Sequence, residues 1–257
     1  MSEQEPFRLR VAYAKRGRLR YLGHLEVLRT VERSVRRAGL PYAVTQGFSP
    51  HMRIAFSAAL PVGTASRAEF YDLYLDSYVP ADEALARLAG STPADLAPTA
   101  AAYVGFREPA LTAALTRATY EVRIRVADAV EAGEGDVSAA LAETASLECI
   151  EYLRAGKKLK RMDLARTLVS AEARLEGGVA TLALDTRSSN DGALRPEVLI
   201  RELERRLAAR LGDPEARPFS SVRIERTSQS VELEDGSLAS PLPERPRRAA
   251  RASAENV

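Results

Sequence analysis

From Phe7 the chain alternates, with Phe7, Leu9, Val11 and Tyr13 on one side and Arg8, Arg10, Ala12 and Ala14 on the other. A period of two predicts a half-buried strand with its arginines facing water. From His24 the period lengthens. Leu25, Leu28, Val31 and Val35 lie three or four apart, which predicts a helix with one apolar stripe. Arg33, Arg36 and Arg37 fall in its last turns, where cations suit the helix dipole, and Gly39 supplies the left-handed residue that ends it. "IAFSAALPVG" and "AEFYDLYLD" predict two hairpin strands, "ADEALARLAG" a short helix, and Ala100 to Phe106 a further strand. Strand, helix, two strands, helix, strand is the order of a ferredoxin-like split βαβ unit.

The order recurs. "TYEVRIRVA" predicts a strand, "VSAALAETAS" a helix, and "LECIEYLR" and "TLVSAEARL" strands, the latter turning at Glu176-Gly177-Gly178 into "VATLALDTR". "RPEVLIRELERRLAARLG" predicts an amphipathic helix with Pro196 near its start and Gly212 just past its end. "SVRIERTSQSVEL" closes the half as a strand. The expected fold is α+β: two ferredoxin-like units in tandem, over residues 1–108 and 119–234. Residues 235–257 are rich in proline, alanine and arginine without apolar periodicity, so that tail is expected to be disordered.

Composition narrows the function classes. Of the 257 residues 46% are hydrophobic, yet no run approaches the roughly 18 apolar residues of a membrane span. No basic segment followed by an apolar stretch opens the chain, so no signal peptide is visible, and a cytoplasmic protein without membrane contact is expected. Cys149 is the single cysteine, which excludes an internal disulfide and a cysteine-built zinc or iron–sulfur site within this chain. No phosphate-binding glycine loop opens a helix. No cofactor and no metal are therefore expected; pairing the two histidines with Glu69 and Asp72 is the weak exception.

Charge is segmental. Between Phe7 and Ser57 eleven bases face only Glu26 and Glu32, whereas residues 67–109 carry more acids than bases. A local excess of this size attracts polyanions.

The stretch "AKRGRLRYLGHLEVLRTVERSVRRAGLPYAVTQGFSPHMRIAFSAALPVGTASRAEFYDL" resembles the bacterial radical-SAM-linked protein family. The shared pattern joins Lys15, Gly17, Leu19-Arg20, His24-Leu25, Gly47-Phe48, Pro50-His51, Gly63, Ser66, Glu69 and Asp72. Gly23 stands where the family usually has a helix-capping serine, Ser49 in place of a common asparagine, Met52 of a proline and Arg53 of a lysine. The resemblance implies a radical SAM enzyme as partner, since this chain lacks the cysteines for that chemistry.

His24 and His51 are the titratable candidates. His24 opens a helix, and His51 follows the rigid Pro50 where the chain enters a strand; together they could act as acid and base in RNA cleavage. Gly47 and Gly63 let the backbone turn tightly, and Phe48 offers a face on which an unstacked base can rest. Lys15, Arg18, Arg20 and Arg53 are candidates for phosphate contacts, and Lys157, Lys158, Lys160 and Arg161 form a second basic cluster in the other unit. Three readings stay open: an RNA-binding accessory module that presents substrate to a radical SAM partner, a metal-independent endoribonuclease using His24 and His51, and a protein-binding scaffold for the partner enzyme.

Overall fold

The computed structural model describes residues 5–128, 130–154, 158–189 and 192–243. The first half runs β1 (Phe7–Lys15), α1 (His24–Arg37), β2 (Ile54–Phe56), β3 (Ala65–Leu75), α2 (Ala81–Ser91) and β4 (Pro98–Val104). A short α3 (Leu111–Ala114) leads to β5 (Arg117–Val126), α4 (Glu134–Ala145), β6 (Cys149–Arg154) and β7 (Lys158–Asp163). Then come α5 (Leu164–Thr167), β8 (Leu168–Glu176), β9 (Val179–Ser189), β10 (Gly192–Ala193), α6 (Pro196–Arg210), β11 (Phe219–Glu232) and β12 (Leu238–Ala239).

The class is α+β, built on one mixed sheet. Its main path is β10-β9-β5-β11-β3-β1-β4, with β2 on β3, β8 on β9 and β12 on β11; β6 and β7 form a separate hairpin. In the first half the strands lie in the order β2-β3-β1-β4, every neighbour antiparallel. In the second half β8-β9-β5-β11 repeats that order without repeating the sequence. The halves share the sheet: β11 runs parallel to β3 where Glu225 and Arg226 meet Ala65 and Ser66.

Odd-numbered positions of β1 and β3 build the first core. Leu9, Val11, Leu73 and Leu75 are fully buried against Val27, Val31 and Val35 of α1 and Leu88 of α2. Each such side chain contributes on the order of 1.5–3 kcal/mol. The apolar stripe of α1 is rotated from the expected one. Val27 is buried in place of Leu25, which is 64% exposed. Gly39 ends the chain's turn after α1 with φ +62°, as a left-handed residue must. Gly23 offers no side chain as cap; the carboxylate of Glu26 instead accepts the Gly23 amide at 2.7 Å. In the second half Val122, Ile124, Leu182 and Leu184 pack under Leu141 of α4 and Leu199 and Leu203 of α6.

The even-numbered face of β1 corrects the sequence expectation. Arg8 and Arg10 are buried, not solvated, and both bind Asp72, which is 0% exposed. Nε and Nη2 of Arg8 reach Oδ2 of Asp72 at 2.9 and 2.6 Å, and Nε of Arg10 reaches Oδ1 at 2.8 Å. Period two was right, but both faces are covered: Leu111 of α3 and Leu115 just after it pack onto Ala12 and Phe70. The expected disorder after Asp235 fails for residues 235–243. β12 pairs with β11, and the carbonyl of the buried Pro241 accepts Nη1 of Arg10 at 3.0 Å. A buried guanidinium needs acceptors, and this segment supplies one; residues 244–257 lie outside the described chain. Among the described residues no helix is long and apolar enough to cross a membrane.

Two outcomes follow. Asp72→Asn leaves two buried guanidinium groups without a counter-charge and costs about 3–5 kcal/mol in urea unfolding; a loss near zero contradicts the burial. A chain ending at Glu234 melts lower than one ending at Pro243, because it loses the Pro241 carbonyl and β12; equal melting temperatures contradict that attachment.

Candidate functional site

Where the halves join, the segment after β2 leaves the sheet. Ala58 to Pro61 forms one wall of a cleft of about 620 Å³, a volume typical of ligand sites. The opposite wall comes from β7 and α5, with Lys160, Arg161, Asp163 and Arg166, and from the entry to α6, with Arg195 and Pro196. Arg117 at the start of β5, Arg187 near the end of β9 and Arg226 in the middle of β11 add to it, and Tyr120 and Tyr152 line the same space. Asp163 is the single carboxylate among the described lining residues.

Not every cation there is available. Arg117 and Arg187 face each other across β5 and β9, and like charges so placed repel. The repulsion is relieved by Asp185, 2.8 Å from Arg117, and by Glu232, 2.6 Å from both arginines. Both guanidinium pKa values are raised, chiefly by those hydrogen bonds. Around the rim the pairing of two cations is looser: Arg161 lies 3.8 Å from Glu148 and Arg195 3.6 Å from Glu197, while Arg166 has Asp163 at 3.7 Å among its partners. Lys160 stands opposite Tyr152 on the β6–β7 hairpin, placing a cation and an aromatic ring side by side.

Beneath the cleft lies a buried polar cluster. Nε of Arg226 is 3.5 Å from Oε1 of Glu69, and both side chains are 4% exposed. Neither atom has a hydrogen-bond partner among the described residues. Glu69 also lines a small cavity of about 20 Å³ with Tyr13, Lys15, His24 and Phe56, room for a single water. Burial raises the Glu69 carboxyl above its ordinary range, against the opposing pull of Arg226, the Ser66 hydroxyl and Lys15. The same desolvation lowers Lys15.

The residues expected from sequence divide among these features. Lys15 is buried, its ammonium donating to the Leu22 carbonyl at 2.8 Å, so it does not present its charge at the surface. His24 is exposed at the mouth of the small cavity, edge-on to Phe56 at 5.4 Å. His51 lies five residues before Phe56, about 16 Å of extended chain, on a loop closed by Thr45. Asp72 is held by two arginines on the other face of β3, away from Glu69; Glu69 shares the small cavity with His24, and among the described residues no three such groups gather. Phe48 is fully exposed at the same loop, which removes core packing as its explanation. Arg53 lies over Tyr74 at 4.2 Å and Phe106 at 5.3 Å, and Arg20 over Tyr21 at 4.8 Å. Arg18 and Lys158 are exposed, Lys160 enters the cleft, and Lys157 lies outside the described residues.

Arg117, Arg166, Arg187, Arg195, Arg226, Tyr120 and Tyr152 were not anticipated. They are scattered over more than a hundred residues, and only strand pairing gathers them. The one local signal was Arg195 before Pro196, a cation at a helix start.

The sequence pattern of a family described as an uncharacterized protein conserved in bacteria (DUF2344) matches residues 8–196, so the chain belongs to that family. Its description names no radical SAM enzyme. No curated protein matches the sequence. Among solved structures, a Cbf5–Nop10–Gar1 complex is similar at 10% identity and a TM-score of 0.46, over 86% of this chain and 49% of that one. An archaeal box H/ACA sRNP Nop10–Cbf5 complex is similar at 8% identity and 0.38, over 85% and 46%. An unknown protein from Galdieria sulphuraria is similar at 10% identity and 0.23, over 88% and 99%. The chain spans about half the length of the first two, and likenesses of this size carry no functional argument.

Phe48→Ala leaves the melting temperature unchanged, since nothing packs on the ring; a clear drop contradicts its exposure. Because the folded carboxyl of Glu69 holds its proton more tightly than the unfolded chain does, stability falls as pH rises from 4.5 through the folded value. Glu69→Gln flattens that slope in urea titrations across this range. An unaltered slope places the titrating group elsewhere.

Proposed function

We propose that this DUF2344 protein binds single-stranded or looped RNA in the cleft between its halves, as a non-catalytic module that presents RNA to a partner enzyme. The observation that carries the reading is the cleft itself: rim cations with loose pairing, two tyrosines, and one lining carboxylate. Cations track a phosphate backbone, and aromatic faces accept unstacked bases whatever their sequence. Partial pairing does not oppose this. Surface ion pairs such as those of Arg161 at 3.8 Å and Arg195 at 3.6 Å are weak and are exchanged for phosphate at little cost.

The exposed loop with Phe48 and His51 is a second contact in this proposal, with Arg20 and Arg53 beside aromatic rings. The radical SAM partner belongs to the same proposal and rests on the ordered residue pattern from Lys15 to Asp72. The endoribonuclease reading is weaker. General acid and base must both reach one phosphodiester, and His24 and His51 sit on separate features. A scaffold reading draws on Tyr21, Leu25 and Val62, large apolar side chains left exposed, of which Tyr21 lies beside Gly63 and Leu25 follows His24 in the chain.

Fluorescence anisotropy with a labelled single-stranded RNA, across a salt series, tests the cleft. Lys160→Ala with Arg161→Ala weakens binding and lowers the slope of log K against log salt by about 1.4, two phosphate contacts at about 0.7 each. Binding that is absent at low ionic strength, or unaltered in this variant, overturns the reading and leaves the scaffold.

A further inference from the structure

Arg226 sits at the floor of the cleft under conditions that a guanidinium rarely meets. It carries five N–H donors. Its two Nη atoms share the Ala58 carbonyl at 3.4 and 3.2 Å, near the limit of a hydrogen bond, and Nε finds no acceptor among the described residues. The Tyr120 ring lies 5.8 Å away. The carboxylate it pairs with is Glu69, which also serves the buried Lys15. Two buried cations thus share one buried carboxylate, with the exposed Glu26 acting on Lys15 from outside. A buried excess of positive charge is costly unless an anion joins it.

A second feature of the same cleft points the same way. The 15-residue helix α6 begins there, with Arg195 as its cap and Pro196 as its first residue, and no side chain caps its first-turn amides. The positive end of the helix dipole lies at the cleft; Pro196 has no N–H and the Val198 amide is bonded to the Arg195 carbonyl at 3.0 Å, which leaves the Glu197 amide as the first-turn donor. The Arg195 amide itself meets only the thioether of Met162 at 3.1 Å, a weak acceptor.

We propose that the inner end of this cleft is a phosphate subsite, with Arg226 as its floor and Arg195 and the first turn of α6 as its wall. Phosphate fits better than carboxylate. Donors that approach from a buried floor and from a helix end need an acceptor with oxygens on more than one side, and a guanidinium fork matches phosphate oxygens in pairs. Glu69, behind Arg226, balances its charge while the subsite is empty. The chemistry is that of a terminal phosphate, on the end of an RNA strand or on a free phosphorylated molecule; the first source rests on the RNA-binding reading above.

The test uses the full chain. Inorganic phosphate is titrated against chloride at equal ionic strength while thermal unfolding is followed. Wild type shows a saturable rise in melting temperature. Arg195→Gln weakens the apparent phosphate affinity about tenfold, the loss of one charge-assisted contact. Glu69→Gln with Arg226→Gln abolishes the response; the pair is removed together so that neither charge is left alone. Circular dichroism checks its fold, and Arg195→Gln carries the test if the double variant does not fold. A short RNA with a 5′-phosphate is then compared with its 5′-hydroxyl counterpart. Preference for the phosphate in wild type, lost in the variants, supports the subsite and assigns it to a strand end. A phosphate response without end preference supports it as a site for a free phosphorylated molecule. No phosphate-specific rise, or a rise unaltered in both variants, overturns the subsite. Salt-sensitive RNA binding would survive that result, so the two failures are distinguishable.

Discussion

Asp72 sets the terms on which the two halves can be joined. It lies in the middle of β3, fully buried, and accepts from both Arg8 and Arg10 of β1. Two guanidinium groups carry more donors than one carboxylate accepts, so the remainder must find carbonyls or stay unsatisfied. They find them in chain that lies far away in sequence: Glu108 at 2.5 Å and Pro109 at 2.8 Å from Arg8, Pro241 at 3.0 Å from Arg10. The connection between the halves and the segment after β11 are thereby drawn across one face of the sheet. Leu111, Leu115 and Leu242 fill that face with apolar contacts to Ala12 and Phe70.

That anchorage continues into the cleft. The connection pinned at Glu108 and Pro109 runs through α3 directly into Arg117, the first residue of β5 and a lining residue of the cleft. β5 in turn lies beside β11, which brings Arg226 against β3 and Glu69. One buried charge cluster holds the halves in register, and a second, with one buried carboxylate for two cations, lies at their seam. The spare donors of the first find carbonyl acceptors, whereas in the second Nε of Arg226 and Oε1 of Glu69 have no hydrogen-bond partner among the described residues. That difference separates a structural polar core from a candidate binding site.

Sequence reading recovered the α+β class, the main helices α1, α2, α4 and α6, and most of the strands that form the sheet, because each carries a local period. It missed β7, whose "KLKRMD" is too charged to resemble a strand, and which pairs only with β6 outside the main sheet. It placed Arg8 and Arg10 in water, since period two identifies two faces but cannot say that both are covered. The covering segments lie a hundred and more residues away. Leu25 was assigned to the core of α1 because it sits at helical spacing from Leu28, yet the packed stripe is centred on Val27, Val31 and Val35. Residues 235–243 lack apolar periodicity, but the fold needs a carbonyl and one short pairing from them, and neither leaves a compositional signal. Of the candidate site, Lys160 and Arg161 were legible as a basic cluster. Arg117, Arg187, Arg195 and Arg226 became neighbours only through long-range pairing.

The central claim is that RNA occupies the cleft at the seam. The most direct measurement is photo-crosslinking of a single-stranded RNA bearing a photoreactive base, followed by mass spectrometry of the adducts on the intact chain. The account predicts adducts within 58–61, at 152, and within 160–167, 187–189 and 192–196, the walls of the cleft, with their yield suppressed by salt. Adducts confined to the outer face of α1, or none at low ionic strength, would contradict it.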